Sequence, residues 1–300
     1  MTILIVEPYH KLALNDLSPL KEKGYIIKRG PITDDLKKVE VLLIRSKTKI
    51  NLDLLHRTPD LKFILTATSG LNHIDLEACK SRQVKVLQPL EPNSISAAEH
   101  TIALITSLSR GLHKAQKNTH ENHWRENLNR GFDLNEKKVG LIGLGRVGLR
   151  VSQILNAFGC HVSAYDPYKN LSYFQKANVN KVEDLNLILK KSDILSLHTP
   201  LTEETQGLLN ATNMRQLKSG VVLINTSRGP CVEESALITN LKNKSIRAAG
   251  LDVFSSEPLP PNNELFTLDN VLLTPHIGAF TEDAYLKSGQ QVIKKLLEQL

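Results

Sequence analysis

The segment VGLIGLGRVGLRVSQILNAFGCHVSAYD, residues 139–166, constrains the fold more than any other part of the chain. Its glycines follow the order G-x-G-x-x-G between a strand-like run and an amphipathic helical run. A second strand-like run then ends in Asp166, 21 residues after Gly145. This arrangement is typical of a βαβ unit that binds a dinucleotide. Asp166 can accept hydrogen bonds from the adenosine ribose, and its charge would repel a 2′-phosphate, so we expect NAD rather than NADP.

Each position of the glycine turn has its own physical role in that prediction. Gly143 permits the tight turn, Gly145 lets the backbone approach a pyrophosphate, and Gly148 lets the helix pack against the strand. The helix then starts at Arg146 and Val147, where free N–H groups and the positive end of the helix dipole favour phosphate. A structural glycine turn without a ligand is the simpler alternative.

Short β-rich runs alternate with helical runs along the rest of the chain. Strands are predicted at ILIV (3–6), VLLIR (41–45), FILTAT (63–68) and VKVL (84–87), and again at KVGLIG, HVSAYD, ILSLHTP, VVLINTS, AAGLDVF and VLLTPH. The alternation predicts an α/β protein with parallel sheets and crossover helices, and 300 residues suggest about two domains. The motif SAAE (96–99) predicts a helix that is capped by Ser96.

Composition narrows the class of protein and its partners. With 41% hydrophobic and 23% charged residues, the chain is typical of a globular protein. We expect no membrane partner, because no apolar run approaches the roughly 18 residues of a membrane helix and the N-terminus lacks a signal-peptide pattern. The three cysteines are widely spaced, so neither a disulfide framework nor a metal site is expected, and a reducing cytoplasm is favoured. The net charge of +7 favours anionic partners, but the basic residues are scattered, and a lysine-rich solvated surface accounts for most of that charge. We therefore expect a small anionic substrate and no nucleic acid.

Charged groups lie at the ends of three predicted strands of the second half. Arg228 lies in NTSRGP, Asp252 and Glu257 lie in GLDVFSSEP, and His276 lies in VLLTPHIG. Ligands of parallel sheets bind at the carboxyl ends of the strands, and the planar guanidinium suits a carboxylate. Each residue also has a structural alternative, such as a buried histidine bonded to a carbonyl. Their shared position at strand ends favours a ligand site.

The chain resembles the D-isomer-specific 2-hydroxyacid dehydrogenase family over nearly its whole length. The resemblance rests on these segments in this order: TATSGLNHIDLEACKSR, EPNSISAAEHTIALI, GLIGLGRVG, SLHTPLTEETQGLLN, INTSRGPCVEESAL, AAGLDVFSSEPL and TPHIGAFTEDA. It implies an NAD-binding Rossmann domain at 96–279 and a discontinuous substrate domain at 1–95 and 280–300. It also implies a homodimer.

The resemblance assigns roles to particular residues. Arg228 would hold the substrate carboxylate and polarise its carbonyl, His276 would be the acid/base, and Glu257 would hydrogen-bond the imidazole. Backbone N–H groups around Ser69 and Gly70 would also hold the carboxylate. Further cofactor contacts are implied at His198, Thr199, Pro200, Thr226, Asp252 and Gly278.

Within the family, the substrate is less clearly indicated. IRSKTK (44–49) and NSISAAEH resemble D-3-phosphoglycerate dehydrogenases of serine biosynthesis, which implies that Arg45 and Ser46 lie near a substrate phosphate. Many members of that subgroup carry an arginine at the position of Thr66. TATSGLNHID is closer to erythronate-4-phosphate dehydrogenases, and glyoxylate or hydroxypyruvate reduction is a further alternative. A different class, an NAD(H)-sensing binding protein similar to corepressors of this fold, would keep the dinucleotide site without the reaction.

Overall fold

The computed structural model describes residues 2–33, 36–68, 70–90, 93–126, 128 and 130–300. The chain divides into two compact units. The first comprises Met1–Asn93 and Ala279–Leu300, and the second comprises Ser94–Gly278. Within the described ranges, none of the helices is long and apolar enough to cross a lipid bilayer.

The first unit contains a parallel sheet of five strands in the order β2-β1-β3-β4-β5. The helices and strands in the N-terminal part of this unit are β1 (Thr2–Ile5), α1 (Lys11–Asn15), α2 (Ser18–Glu22), β2 (Ile26–Arg29), β3 (Val39–Ile44), α3 (Leu52–Arg57), β4 (Phe63–Thr66), α4 (Leu76–Ser81) and β5 (Lys85–Leu87).

The second unit contains a parallel sheet of seven strands in the order β12-β11-β10-β9-β6-β7-β8. Its elements are α5 (Ser94–Arg110), α6 (Leu112–His120), β6 (Lys138–Ile142), α7 (Arg146–Ala157), β7 (His161–Tyr165), α8 (Leu171–Ala177), β8 (Asn180–Lys181), α9 (Leu185–Lys191), β9 (Ile194–Leu197), α10 (Ala211–Met214), β10 (Val221–Asn225), α11 (Glu234–Lys242), β11 (Ile246–Leu251) and β12 (Val271–Leu273). The chain then returns to the first unit as α12 (Glu282–Leu297).

Both faces of each sheet are buried by helices. In the first unit, Ile3 and Ile5 join a core formed with α1, α2 and α12, whereas Leu4 joins the core under α3 and α4. In the second unit, Leu141 packs with α5 and α7, and Ile142 packs with α10 and α11. Because successive strand residues point to opposite faces, burial on both sides explains the nearly continuous apolar runs of the strands. The two parallel sheets confirm the predicted fold class.

Each sheet has one point at which the strand order reverses. In the first sheet it lies between β1 and β3, and in the second between β6 and β9. Ligands of open parallel sheets bind outside the carboxyl ends of the strands at this switch point. The residues that follow β1, β3, β6 and β9 are therefore candidates for a ligand site.

The start of helix α5 and the edge strand β2 differ from the sequence-based expectation. Helix α5 begins at Ser94, so the prediction that Ser96 caps it is wrong. Asn93 and Ser94, which are themselves residue types that favour helix N-termini, permit the earlier start. Strand β2 has no counterpart in the prediction because it is a largely exposed edge strand, with Ile26 58% exposed, and so lacks the apolar signal of the other strands.

Candidate active site

The glycine turn connects β6 to α7, and each glycine meets a different environment. Gly143 has a φ of +92°, which glycine adopts without strain, and an added Cβ would lie 2.7 Å from the carbonyl oxygen of His198. At Gly148 an added Cβ would lie 2.4 Å from the carbonyl oxygen of Gly143. At Gly145, no described atom lies within 4 Å of an added Cβ. The turn is therefore closely packed on two sides and open at its middle glycine.

The start of α7 is suited to an anion. Gly145 is its N-cap residue and has no side chain that could cap this helix end. Arg146 and Val147 form the first helical positions, where backbone N–H groups and the helix dipole favour phosphate. Together with the open side of Gly145, this geometry fits the pyrophosphate of a dinucleotide.

Asp166 follows the last residue of β7, which pairs with β6 on the side away from the switch point. It is only 8% exposed. One carboxylate oxygen, Oδ2, accepts the N–H of Leu144 at 2.8 Å, and the other, Oδ1, accepts the N–H of Tyr168 at 3.0 Å. Since each carboxylate oxygen has two lone pairs, the group is held in place and retains acceptor capacity for ribose hydroxyls.

His198 follows β9 on the other side of the switch point. Its Nε2 lies 2.9 Å from the Oγ of Ser196. Burial lowers the pKa of His198 to about 4, so the imidazole is neutral at neutral pH. This histidine is therefore a poor proton donor, and it contributes shape and a hydrogen bond instead.

The other predicted cofactor contacts after β9 and β10 are tied to neighbouring elements. The Oγ1 of Thr199 lies 3.8 Å from the Sγ of Cys231, and the Oγ1 of Thr226 lies 2.7 Å from that of Thr101 in α5. Pro200 is exposed. Because a hydroxyl both donates and accepts, the two threonines retain capacity for a ligand.

Three neighbouring strands bring the charged groups of the sequence analysis to one edge of the sheet. Strands β10, β11 and β12 pair in register at their ends, with Asn225 opposite Leu251 and Leu251 opposite Leu273. Arg228, Asp252 and His276 follow these ends within three residues.

His276 and Glu257 form a direct pair. The Nδ1 of His276 lies 2.6 Å from the Oε2 of Glu257, whose Oε1 accepts the N–H of Phe254 at 3.0 Å. The histidine side chain is 50% exposed. Its Nε2 has no hydrogen-bond partner among the described residues. Because Nδ1–H donates to the carboxylate, Nε2 is the nitrogen that can exchange a proton with a substrate.

Asp252 holds the loop that carries His276. Its Oδ1 accepts the hydroxyl of Thr274 at 2.6 Å and the N–H of Ile277 at 2.9 Å, and its Oδ2 accepts the N–H of Gly278 at 2.8 Å. Burial acts to raise the pKa of Asp252, but hydrogen bonds from His100, Thr274 and the two N–H groups outweigh it and lower the pKa. The carboxylate is therefore ionised at neutral pH. Its contact with the cofactor stays a prediction.

Arg228 lies in a loop that contacts the segment of Glu257. Its Nη1 donates to the carbonyl of Ser227 at 2.6 Å. An added Cβ at Gly229 would lie 1.9 Å from the carbonyl carbon of Phe254, so only glycine permits this approach of the two backbones. The loops of Arg228, Glu257 and His276 thus form one connected group at the strand ends.

The first unit has its own charged cluster at the switch point between β1 and β3. Glu7, which is 9% exposed, accepts the N–H groups of Arg45 and Thr48 at 2.9 Å each and of Lys47 at 3.2 Å. Burial acts to raise the pKa of Glu7, yet its hydrogen bonds with Thr48, Arg45 and Lys47 lower it overall. An ionised carboxylate therefore fixes the turn that carries Arg45.

The guanidinium of Arg45 is held over an aromatic ring. It lies 4.6 Å from the centroid of Tyr285 in α12, and the ring of His10 meets Tyr285 edge-on at 5.7 Å. The Nη1 of Arg45 is buried and has no hydrogen-bond partner among the described residues. A buried, unpaired guanidinium N–H is costly, and an anion would satisfy it.

The remaining predicted substrate residues are less informative. Ser46 is exposed. The carbonyl of Gly70 accepts the hydroxyl of Thr68 at 2.9 Å. Ser69 lies outside the described residues.

Comparison with known proteins agrees with this arrangement. The sequence profile of the D-isomer specific 2-hydroxyacid dehydrogenase, NAD binding domain, matches residues 102–278. The chain belongs to the D-isomer specific 2-hydroxyacid dehydrogenase family. The family resemblance inferred from the sequence is thereby confirmed, and the matched region, which contains the glycine turn, is the NAD-binding domain of this dehydrogenase family.

The relatives of this chain carry more than one substrate name. It is 35% identical over 300 residues to D-3-phosphoglycerate dehydrogenase of Methanocaldococcus jannaschii, covering 98% of this chain and 57% of the relative. It is 37% identical over 266 residues to hydroxypyruvate reductase of Thermotoga maritima, covering 87% and 85%. A structure of D-lactate dehydrogenase from Aquifex aeolicus complexed with NAD and lactic acid superposes with a TM-score of 0.84 at 28% identity, covering 100% and 95%. The chain spans little more than half the length of several curated relatives.

The sequence patterns did not reveal three residues that support the predicted site. Glu7 follows a strand at a switch point, which is a signal that could have been noticed. Tyr285 and His100 lie within helices α12 and α5, and their partners are distant in the chain. Only the tertiary structure reveals those two contacts.

Proposed function

We propose that the protein is an NAD-dependent oxidoreductase that interconverts a D-2-hydroxy acid and its 2-keto acid. The observation that carries this proposal is the pair of His276 and Glu257 at 2.6 Å, in the segments that follow β12 and β11 of the NAD-binding unit. Bound NAD supplies or accepts the hydride at the substrate carbon. An acid/base on the protein must then exchange the proton of the hydroxyl oxygen.

The residues of the second unit divide this work. The Nε2 of His276 donates the proton when the keto acid is reduced and receives it in the reverse direction. Glu257 orients the ring through Nδ1 and stabilises the protonated imidazole electrostatically. Arg228 binds the substrate carboxylate and offsets the charge that develops on the oxygen, as preorganised cations do in such sites.

For the substrate, we propose 3-phosphoglycerate and 3-phosphohydroxypyruvate, the pair used in serine biosynthesis. The supporting feature is Arg45, a cation whose buried Nη1 has no partner among the described residues and whose turn is fixed by Glu7 at a switch point. A fixed guanidinium with a free donor suits a phosphate better than a neutral hydroxyl. The resemblance of IRSKTK to phosphoglycerate dehydrogenases points the same way.

The test is NADH consumption by the purified protein with 3-phosphohydroxypyruvate, hydroxypyruvate, glyoxylate and the keto acid of erythronate 4-phosphate. We expect the highest kcat/KM with 3-phosphohydroxypyruvate. Arg45→Gln should reduce its advantage over hydroxypyruvate by about tenfold or more, as expected for loss of a charge-assisted hydrogen bond. Arg29→Gln, at an exposed arginine of β2, is the matched control.

A second candidate is a hydroxypyruvate reductase. It is favoured by the Thermotoga maritima relative, which this chain covers over 85% of its length. Equal rates with phosphorylated and unphosphorylated acids, unaffected by Arg45→Gln, would support it. NADH binding without oxidation by any of these acids would contradict both enzymatic proposals and favour an NAD(H)-sensing protein.

A further inference from the structure

His100, in helix α5, lies against the carboxylate that holds the His276 loop. Its Nε2 is 3.0 Å from the Oγ1 of Thr274 and 3.2 Å from the Oδ1 of Asp252. The single hydroxyl proton of Thr274 is donated to Asp252 at 2.6 Å. The Thr274 oxygen must therefore accept from His100, so Nε2 carries a proton. His100 is thus a donor shared by the threonine and the aspartate.

His100 and Thr274 belong to a cluster of hydrogen-bond donors that surround one buried carboxylate. Asp252 is 1% exposed, and its donors are Thr274, Ile277, Gly278 and His100. A buried carboxylate is tolerated only when hydrogen bonds compensate for its lost hydration. Removal of any one donor therefore weakens the arrangement that the other donors share.

The loop around this carboxylate contains a strained residue. His276 has a φ of +53°, a left-handed conformation that costs energy for a residue with a Cβ and persists only when its surroundings enforce it. The two residues after it, Ile277 and Gly278, donate their N–H groups to Asp252. These bonds hold the backbone of His276 in its conformation, and Glu257 holds its ring.

Gly278 links the same cluster to the start of α5. An added Cβ at Gly278 would lie 3.0 Å from the Oδ2 of Asp252, 3.7 Å from the Cδ2 of His100 and 3.9 Å from the Cα of Ala97. Helix α5 begins at Ser94, which is the first residue of the second unit. Gly278 is the last residue of that unit. His100 and Asp252 therefore connect the two ends of the second unit.

We propose that His100 is a positioning residue: by donating to Asp252 and Thr274 it fixes the 274–278 loop and so sets the backbone and ring orientation of His276. This inference rests on the proposed role of His276 in catalysis. His100 itself takes no part in proton transfer, because its Nε2–H is committed to the buried cluster.

The test compares His100→Leu, which removes the donor, with His100→Gln, which retains an N–H donor. With the preferred keto acid, we expect His100→Leu to lower kcat about tenfold or more while KM and the Kd for NADH change less than about threefold. A misplaced acid/base affects the chemical step more than binding. His100→Gln should recover most of kcat. His161→Leu, at an exposed histidine of β7, is the control and should leave both constants unchanged.

Hydrogen–deuterium exchange supplies a readout that does not depend on turnover. The N–H groups of Ile277 and Gly278 should exchange at least several-fold faster in His100→Leu than in the wild type, and His100→Gln should restore their protection. Equal kcat values or equal exchange rates in the Leu and Gln variants would overturn the inference. If the wild type reduces none of the keto acids, the proposed function fails, whereas the exchange result still decides whether His100 fixes the loop.

Discussion

The two switch points of this protein are built in opposite ways. In the first unit, the carboxylate of Glu7 after β1 accepts three backbone N–H groups of the turn after β3 and fixes the turn that carries Arg45. In the second unit, the glycine turn after β6 packs against the carbonyl of His198 after β9, and its N-cap residue, Gly145, has no side chain to cap the start of α7. One switch point presents a side-chain cation, and the other presents backbone donors.

The difference teaches how the same topology serves two kinds of ligand. Backbone donors at a helix N-terminus suit the pyrophosphate that all dinucleotides share. A side-chain cation can be exchanged by mutation, so it suits the variable part of a substrate. Under the proposed function, substitutions in the second unit should abolish turnover or cofactor binding, whereas substitutions at the first switch point should change substrate preference.

The largest effect is expected in the second unit. His276→Ala and Arg228→Ala should each lower kcat by at least about a hundredfold, because acid/base and electrostatic groups contribute about that much or more. Steady-state kinetics with the preferred keto acid would measure this. His161→Ala, at an exposed imidazole of the same unit, should be neutral. Near wild-type turnover in either site variant would remove that residue from the mechanism.

A second pair of variants distinguishes two roles of the glycine turn: its packing within the fold and the space it leaves for the cofactor. Gly145→Ala places a methyl group where no described atom lies within 4 Å, whereas Gly148→Ala places one 2.4 Å from the carbonyl oxygen of Gly143. Gly145→Ala should keep its Tm and lose NADH affinity by about tenfold or more, since the methyl group blocks the backbone approach. Gly148→Ala should lose Tm as well. Unchanged NADH affinity in Gly145→Ala, measured by fluorescence titration, would contradict the predicted pyrophosphate position.

Loosening the first switch point should have a smaller, selective effect. Glu7→Gln replaces one carboxylate oxygen by an NH₂ group that cannot accept the N–H groups of the turn. The KM for 3-phosphohydroxypyruvate should rise by about three- to tenfold, while the Kd for NADH stays constant. Glu22→Gln, at an exposed position of α2, is the control. A loss of NADH affinity in Glu7→Gln would break the proposed division between the units.

The smallest expected effect is a difference in acid stability. The pKa of His198 is lowered to about 4 by burial, below its ordinary value of about 6.5. As pH falls from about 6.5 to about 4, the unfolded chain takes up this proton before the folded chain does, so stability is lost in that window. The pKa of Glu7 is also lowered overall, since its hydrogen bonds outweigh burial. Its contribution is therefore complete above about 4.5 and is lost as pH falls through the folded pKa.

Urea unfolding midpoints at a series of pH values would separate these two groups. His198→Gln should flatten the stability profile between about pH 6.5 and 4, and Glu7→Gln should flatten it only below about pH 4.5. His161→Gln should leave the profile unchanged, since that histidine is exposed. Equal profiles for wild type and His198→Gln would show that His198 is not held neutral by the fold.

Local sequence signals were sufficient for the fold class and for much of the candidate site. Apolar strands that are buried on both faces have a strong signal, as VVLIN of β10 shows, and the glycine turn has a chemical one. Strand β2 was missed because its residues are mostly exposed. Arg228, Asp252 and His276 could be chosen because each follows a strand. Their supporting residues could not, because a hydrogen-bonding partner such as His100 is separated from Thr274 by 174 positions in the chain.

The amino-acid sequence by itself determined which residues are candidates for the site, because the glycine order, the strand-end positions and the residue types are local properties of the chain. The tertiary structure alone decided how those residues are held. It places the carboxylate of Glu257 next to Nδ1 of His276 and hydrogen-bonds the 274–278 loop to the buried Asp252. It also positions the Arg45 guanidinium over the ring of Tyr285. Each of these contacts joins segments that are distant in sequence. Their geometry follows from packing that no local pattern specifies.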